Sequence, residues 1–408
     1  MKCGLLGRKL GHSYSPQIHS YLGDYSYQLF EKEPEEIEDF LKNGDFTGIN
    51  VTIPYKKEVI PYLDALTPTA EKMGAVNTII RRPDGSLLGH NTDHFGFASM
   101  VQRSGLAVNG KKVLVLGSGG ASNTAVAVLK DLDANVIVIS RWGENHYGNL
   151  HLHTDAALIV NTTPVGMYPN VGKSPVDLSQ FPKLEGVLDV IYNPARTQLL
   201  LDAEKLGIST ENGLWMLVAQ AKEAAEYFTG TAIPDSSISA IHRILSCQME
   251  NIVLIGMPGC GKSTIGEQLS RKLGRSFADA DAQIVALAGK PIAQIFAEDG
   301  EDRFRQWETM ALKELGKQSG LIIATGGGCV TREENYSLLH QNGRIVWIQR
   351  ELQHLPTDGR PLSQSGKLSE MYTKRKPMYQ AFADYSVDNN GSMEDTVSAI
   401  LTRLEETP

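Results

Sequence analysis

The sequence predicts an α/β protein with more than one parallel-sheet unit, and three segments carry that prediction. Val113-Leu-Val-Leu116 runs into Gly117-Ser-Gly-Gly120, Asn251-Ile-Val-Leu-Ile255 into Gly256-Met-Pro-Gly-Cys-Gly261, and Leu321-Ile-Ile-Ala324 into Thr325-Gly-Gly-Gly328. Short apolar runs bounded by turn residues read as strands covered on both faces. In the first two a helical stretch follows the glycines at once. Strand, tight glycine turn and helix together are the repeating unit of doubly wound sheets. The chain has 408 residues; at roughly 100–200 residues per domain, about two to four domains are expected.

The remaining elements fit that class. Cys3 to Leu6 reads as a first strand, and Pro34 to Lys42 as a helix with Ile37, Phe40 and Leu41 on its apolar face. Gly48-Ile-Asn-Val-Thr-Ile53 is a strand stopped by Pro54, and Met216 to Phe228 a long helix ending before Gly230. Ile238 to Leu245 reads as a closing helix. Ser246 to Glu250 is then the expected boundary, a very short linker before the strand of the second glycine loop. The expected division is a lobe of residues 1–98 completed by about 213–246, a glycine-loop domain of 99–212, and a last domain of 247–408.

Composition narrows the function. Hydrophobic residues make up 41% and charged residues 21%, the balance of a globular protein with sizeable cores. A net charge of −8 argues against a nucleic-acid-coating role, while local Arg and Lys clusters leave small anionic substrates open. Cys3, Cys247, Cys260 and Cys329 are far apart and form no zinc-type spacing, which suits a reducing cytoplasm. No apolar run approaches the ~18 residues of a membrane span, and the first strand is too short for a signal-peptide core.

Gly256 to Ser263 spells G-x-x-x-x-G-K-S. Glycines let the backbone wrap a phosphate chain with its N–H groups turned inward. Gly259, Cys260, Gly261, Lys262, Ser263 and Thr264 are therefore the expected nucleotide-phosphate cradle, of a kind that serves ATPases, GTPases and kinases alike. Lys262 lies toward the β- and γ-phosphates, and Ser263 is placed to ligate Mg²⁺. Asp279 and Asp281, one residue apart after the first crossover helix, face the same sheet rim. One suits Mg²⁺ through water, the other a substrate hydroxyl proton. Arg305, Arg360 and Arg375 are candidate clamps for anionic groups. Taken in order, the P-loop, Asp279-x-Asp281, Phe304-Arg305, Gly326-Gly-Gly328, Arg360-Pro-Leu and Arg375 before Pro377-x-Tyr379 resemble shikimate kinase from about Glu250 onward. The resemblance implies a P-loop fold of the nucleoside-monophosphate-kinase type and phosphoryl transfer from ATP to the 3-hydroxyl of shikimate. It assigns Asp281, Arg305, Gly326, Gly327, Gly328 and Arg375 to substrate, and Arg360 to a lid over the transferring phosphate. The lid around Gln353 to Lys367 is shorter than in many members, and His354 or Leu355 stands where a basic residue often meets adenine.

Gly117-Ser118-Gly119-Gly120-Ala121-Ser122 is G-x-G-x-x-S between a strand and a helix, a dinucleotide-type turn. An acid at the end of the next strand, Asn135 to Ile139, binds the ribose hydroxyls of NAD. Ser140-Arg141 stands there instead, which favours the 2′-phosphate of NADP. Polar residues gather at turns in Ser13-Tyr-Ser15-Pro16, Asn50-Val-Thr52-x-Pro54-Tyr-Lys56, Asn77-Thr78 and Asn91-Thr92-Asp93. With Asn161-Thr-Thr-Pro-Val-Gly166, Asp189-x-x-Tyr192-x-Pro194, Asn212-Gly213 and Met216-Leu-Val-Ala-Gln220, they resemble shikimate dehydrogenase over about residues 4–245. The resemblance implies a two-lobed unit with a Rossmann NADP domain, and the reaction of 3-dehydroshikimate and NADPH to shikimate and NADP⁺. Lys56 is then the general acid paired with Asp93. Ser13, Ser15, Asn50, Thr52, Asn77, Thr92, Tyr192 and Gln220 face the substrate, and Gly213 the cofactor. The family's Asn-Arg-Thr and following arginine are Ser140-Arg-Trp-Gly-Glu144 here, and a helix and strand are expected to be trimmed between Arg141 and Ala157. Together the two resemblances imply a cytoplasmic bifunctional enzyme of aromatic amino acid biosynthesis. Its first product is its second substrate.

Overall fold

The structure is a computed structural model that describes residues 1–11, 13–355 and 367–406. Its chain divides into two compact units. The first holds Met1–Val165, Ser174–Tyr192 and Asp202–Ile244, and the second Gly166–Lys173, Asn193–Leu201 and Leu245–Pro408. Among the described residues no helix is long and apolar enough to cross a membrane.

The first unit contains two sheets. One has six strands, β1 (Lys2–Gly7), β2 (Ser26–Glu31), β3 (Gly48–Val51), β4 (Ala65–Leu66), β5 (Thr78–Arg81) and β6 (Leu87–His90), in the order β2-β1-β3-β5-β6-β4. β1 runs parallel to β2 and β3, whereas β5 is antiparallel to β3 and β6. Ile49 and Ile79 pair in register across β3 and β5, and with Leu6 and Val51 they fill one core. The expected strand beginning at Gly48 ends at Val51, because the chain turns at Thr52, whose carbonyl accepts the Tyr55 N–H at 2.9 Å.

The second sheet is wholly parallel: β7 (Lys112–Leu116), β8 (Asn135–Ile139), β9 (Leu158–Asn161), β10 (Gly186–Asp189) and β11 (Ser209–Asn212), ordered β11-β10-β9-β7-β8. Strand order reverses about β7, so a crevice opens outside the carboxyl ends of β7 and its neighbours. A six-stranded doubly wound sheet has one more strand beyond β8. Residues 140–157 supply only a 3₁₀ segment, Tyr147–His153. A crossover with its helix needs at least about 10–12 residues before any strand begins. The trimming expected from the sequence is therefore present, and β8 is an edge. The helix Leu214–Thr229 stops where Gly230 adopts a left-handed conformation, φ 65°.

The second unit carries β12 (Asn251–Ile255), β13 (Phe277–Asp279), β14 (Ile322–Ala324), β15 (Gly343–Gln349) and β16 (Tyr385–Asp388), all parallel and ordered β13-β14-β12-β15-β16. Its core is built on Val253, Leu254, Ile323 and Val346, which are fully buried or nearly so. The expected linker, Ser246 to Glu250, is helical as far as Met249. The helix Ser236–Met249 runs straight through it to the residue before β12's flank, because Ser246-Cys-Gln-Met offers no Gly or Pro to stop the turn.

His19, in the short helix Ser15–Ser20, stacks on Tyr27 at 4.0 Å and hydrogen-bonds Tyr25 at 2.7 Å. Burial lowers its pKa from 6.5 to about 3. The native state thus holds the ring neutral while the unfolded chain protonates it. The stability this confers is complete above pH 6.5 and is lost as pH falls toward 3. We expect His19→Phe, which keeps the stack, to flatten the acid limb of urea-unfolding stability by about 1.4 kcal/mol per pH unit between roughly pH 6 and 4. An unchanged slope shows that His19 is already protonated in the fold.

Candidate active sites

In the first unit, the turn after β3 and the start of the helix Asp93–Ser104 bring Lys56 and Asp93 together, Nζ to Oδ2 at 2.5 Å. Both side chains are half-buried, 28% and 17% exposed, so they remain open to a ligand. Asp93 is fixed from behind: its N–H donates to Asn91 Oδ1 at 3.1 Å, and Asn91 Nδ2 donates to Ala75 O at 2.8 Å. Val76 N–H donates to Lys56 O at 2.7 Å, which pins the lysine's backbone.

Beside the pair lies a buried amide and hydroxyl network. Asn77 Oδ1 accepts the Thr92 N–H at 2.7 Å, and Asn77 Nδ2 donates to Thr92 Oγ1 at 3.0 Å. Asn50 Nδ2 donates to Thr78 Oγ1 at 3.1 Å and its Oδ1 accepts from Tyr27 OH at 2.7 Å. Thr92 Oγ1 reaches Gln220 Oε1 at 3.3 Å. That last contact needs two helices to touch, and Gly96 allows it: a Cβ there would sit 2.8 Å from Met216 O and 2.9 Å from Gln220 Cβ. Ser15 N–H donates to Ser13 Oγ at 3.2 Å, and between them Tyr14 meets Tyr192 edge-on at 6.1 Å. Burial raises the pKa of both phenols, so each is a neutral donor. Thr52 is half-buried on the chain leaving β3. Of the sequence-predicted substrate residues, Asn50, Asn77, Thr92 and Gln220 thus belong to the network that adjoins Asp93, while Ser13 and Ser15 share a turn.

The glycine turn after β7 is anchored by Gly117 N–H to Ile139 O at 2.8 Å and by Ser122 Oγ to Gly117 O at 2.8 Å. Gly117 has φ 112°, and a Cβ there would meet Thr162 Oγ1 at 2.8 Å. Gly119, which caps the helix Gly120–Asp131 without any side-chain acceptor, and Gly120 face open space. Their first-turn N–H groups suit a pyrophosphate. Ser118 is exposed and Ala121 half-buried on the same turn. At the end of β8, Arg141 is exposed, while the Ser140 hydroxyl turns back to donate to the Trp142 carbonyl. Gly213 does not line open space. It packs under the end of β10, where a Cβ would lie 2.0 Å from Val190 O.

The second unit holds a cavity of about 690 Å³ at the carboxyl ends of β12, β13 and β14. Gly261, at φ 100°, starts the helix Lys262–Leu273. Cys260 is buried and its carbonyl accepts from Asn389 Nδ2 at 2.7 Å. Lys262 Nζ donates to Gly256 O at 2.9 Å and Met257 O at 3.0 Å. Ser263 Oγ donates to Asp279 Oδ2 at 2.8 Å, and Asp279 Oδ1 accepts the Asp281 N–H at 2.9 Å. Across the cavity, Arg305 Nη1 donates to Glu308 Oε2 at 2.8 Å and Nη2 to Glu301 Oε1 at 3.0 Å. Burial works against the Arg305 cation, but the Glu308 and Glu301 carboxylates outweigh it and raise its pKa. Burial pushes the Glu308 carboxyl up against the opposing Arg305 charge.

The three glycines have separate spatial reasons. A Cβ at Gly326 would sit 2.6 Å from Glu308 Oε1, at Gly327 2.6 Å from Pro258 Cδ, and at Gly328 2.2 Å from Arg305 Nη1. Gly327 O then accepts from Arg375 Nη1 at 3.1 Å and Tyr379 OH at 2.5 Å. Gly259, Thr264, Asp281 and all three glycines line the same cavity. Arg360 lies outside the described residues. Three residues have no role in the sequence reading, although Asn91 stands in its Asn91-Thr92-Asp93 motif. Asn91 orients Asp93, Glu308 holds Arg305 one helical turn away, and Arg350 follows β15 at the same rim of the sheet. The i, i+3 spacing and the strand-end position were signals available for the last two.

Comparison with known proteins matches this geometry. The shikimate dehydrogenase substrate binding domain matches residues 5–79, and shikimate kinase matches residues 258–405. The NADP(+) shikimate dehydrogenase of Clostridium perfringens is 36% identical over 267 residues, 60% of this chain and 98% of that protein. The crystal structure of shikimate dehydrogenase 1 from Peptoclostridium difficile is 39% identical, with a TM-score of 0.55, over 60% of this chain and 97% of that one. A chorismate mutase/shikimate 5-dehydrogenase fusion from Clostridium acetobutylicum is 36% identical, with a TM-score of 0.57, over 60% of this chain and 96% of its own. The chain therefore belongs to the shikimate dehydrogenase family over 60% of its length, with a shikimate kinase domain following in the same polypeptide.

Proposed function

We propose that the protein catalyses two consecutive steps, NADPH-dependent reduction of 3-dehydroshikimate to shikimate and ATP-dependent phosphorylation of shikimate at its 3-hydroxyl. The observation that carries this reading is that one chain holds the Lys56–Asp93 pair beside a polyol-sized polar network and a P-loop cavity with an acid and carboxylate clamps.

In the first site, NADPH would lie along Gly117–Ala121 with Arg141 at its 2′-phosphate, and when bound it supplies the hydride. Lys56 delivers the proton to the ring oxygen as it gains alkoxide character, and Asp93 holds the ammonium in place for that delivery. Asn50, Asn77, Thr92 and Gln220 orient the ring hydroxyls, while Ser13, Ser15, Thr52 and Tyr192 complete the pocket around the carboxylate. In the second site, Gly259–Thr264 cradle the ATP phosphates. Ser263 and Asp279, already 2.8 Å apart, are the oxygens that would hold Mg²⁺, which neutralises phosphate charge. Arg305 and Arg375 grip the substrate carboxylate, Asp281 accepts the 3-hydroxyl proton, and Arg360 covers the transferring group.

Given 3-dehydroshikimate, NADPH, ATP and Mg²⁺, the full chain is expected to yield shikimate 3-phosphate by mass spectrometry. Lys56→Ala lowers reduction by about 10²–10⁴-fold, and Lys262→Ala stops at shikimate. Untouched 3-dehydroshikimate with the parent protein would falsify the dehydrogenase half; accumulation of shikimate would remove the kinase half.

Arg141→Ala should erode the preference for NADPH over NADH by on the order of ten- to a hundred-fold, the worth of a charge-assisted contact. An unaltered preference assigns the 2′-phosphate to another residue. Gly328→Ala drives a methyl into Arg305 and should cost on the order of 10²-fold in kinase kcat/KM for shikimate. If that ratio stays at the parent value, Arg305 does not hold the substrate.

A further inference from the structure

We infer that Arg350 is a catalytic residue of the phosphoryl-transfer site, a fixed cation supplied by the sheet that contacts the γ-phosphoryl group. The inference rests on the kinase reading above.

Among the described residues, four cationic side chains line the cavity of the second unit: Lys262, Arg305, Arg350 and Arg375. Three are held by protein oxygens. Lys262 is on the Gly256 and Met257 carbonyls, Arg305 on Glu301 and Glu308, and Arg375 on the Gly327 carbonyl. Arg350 differs. Its Nε is buried without a hydrogen-bond partner among the described residues. A buried guanidinium nitrogen with no acceptor is costly, and such a group is retained where a ligand supplies the acceptor.

Position selects which ligand. Arg350 follows β15, and β15 pairs with β12, Trp347 opposite Ile255. The residues after Ile255 form the phosphate loop, so Arg350 lies level with that loop. The loop's first glycine touches β15 directly, since a Cβ on Gly256 would sit 2.5 Å from Ile348 O. The carboxylate clamps Arg305 and Arg375 instead surround Gly327 and Gly328, which follow β14 on the other side of β12. The guanidinium is therefore beside the phosphates rather than the sugar-acid ring. In the transfer, the bond from Pγ to the β–γ bridging oxygen breaks, the bond to the shikimate 3-oxygen forms, and the 3-hydroxyl proton passes to Asp281. Charge spreads over the three equatorial γ-oxygens, and an arginine whose Nε has no acceptor to give up among the described residues meets it without rearrangement.

The test uses the full chain with its dehydrogenase site saturated by NADPH, comparing Arg350→Met and Arg350→Lys with the parent. For Arg350→Met, calorimetry should show a non-hydrolysable ATP analogue bound about ten-fold or more weakly while ADP and shikimate bind as in the parent, and kinase kcat should fall on the order of 10²–10³-fold. Arg350→Lys should recover part of both losses, and the thermal midpoint of Arg350→Met should stay at or above that of the parent. Weakened shikimate binding with unchanged ATP-analogue affinity would move Arg350 to the acid substrate and overturn the inference. A lowered thermal midpoint with proportionate loss for every ligand would overturn it in favour of a structural role. A parent that binds neither the ATP analogue nor shikimate defeats the kinase reading itself.

Discussion

A backbone N–H can reach an anion only where no side chain stands in front of it, and the sites of this protein are arranged around that constraint. At the turn after β7 the solution is emptiness: Gly119 and Gly120 look onto open space at a helix start. At the turn after β12 it is conformation, with Gly256, Gly259 and Gly261 all at positive φ. After β14 it is room for neighbours, because Pro258, Arg305 and Glu308 fill the places where three side chains would have grown. Parallel strands bring all three turns to the carboxyl edge of a sheet, which is where such crevices form.

The dehydrogenase site adds a second device. Its amides Asn50 and Asn77 are deeply buried, at 5% and 3% exposure, and so their geometry is dictated by partners rather than by solvent. Asn77 serves both its own carbonyl contacts and the Thr92 backbone, and Thr92 in turn stands at the head of the helix that carries Asp93. A change at Asn77 is therefore transmitted to the Lys56–Asp93 pair through hydrogen bonds and not through direct contact.

Much of this was legible in the sequence because local patterns determine local geometry. The strand–glycine–helix runs located both nucleotide-type turns, and the short interval from Arg141 to Ala157 already implied the absent strand beside β8. Lys56 and Asp93 were recognisable from the turn motifs that carry them. Long-range pairing was not. Nothing in Gly328 reveals that Arg305 lies against it, and nothing local in Arg350 distinguishes it from a surface arginine after a strand. The helix to Met249 also overran its expected end. The expected boundary, Ser246 to Glu250, lies ahead of the next strand, but Ser246-Cys-Gln-Met carries no Gly or Pro to end the helix before it.

The trimmed edge beside β8 has a consequence for how the protein behaves in crowded solution. Val136-Ile-Val-Ile139 is an uncharged, β-branched run on an edge strand, and among the described residues only the Ser140–His146 bridge blunts one end of it. Unpaired ladder groups on such a run are a template for another chain. The margin of β8 is thus left open to pairing with a second chain, a liability that the missing neighbour strand would have covered.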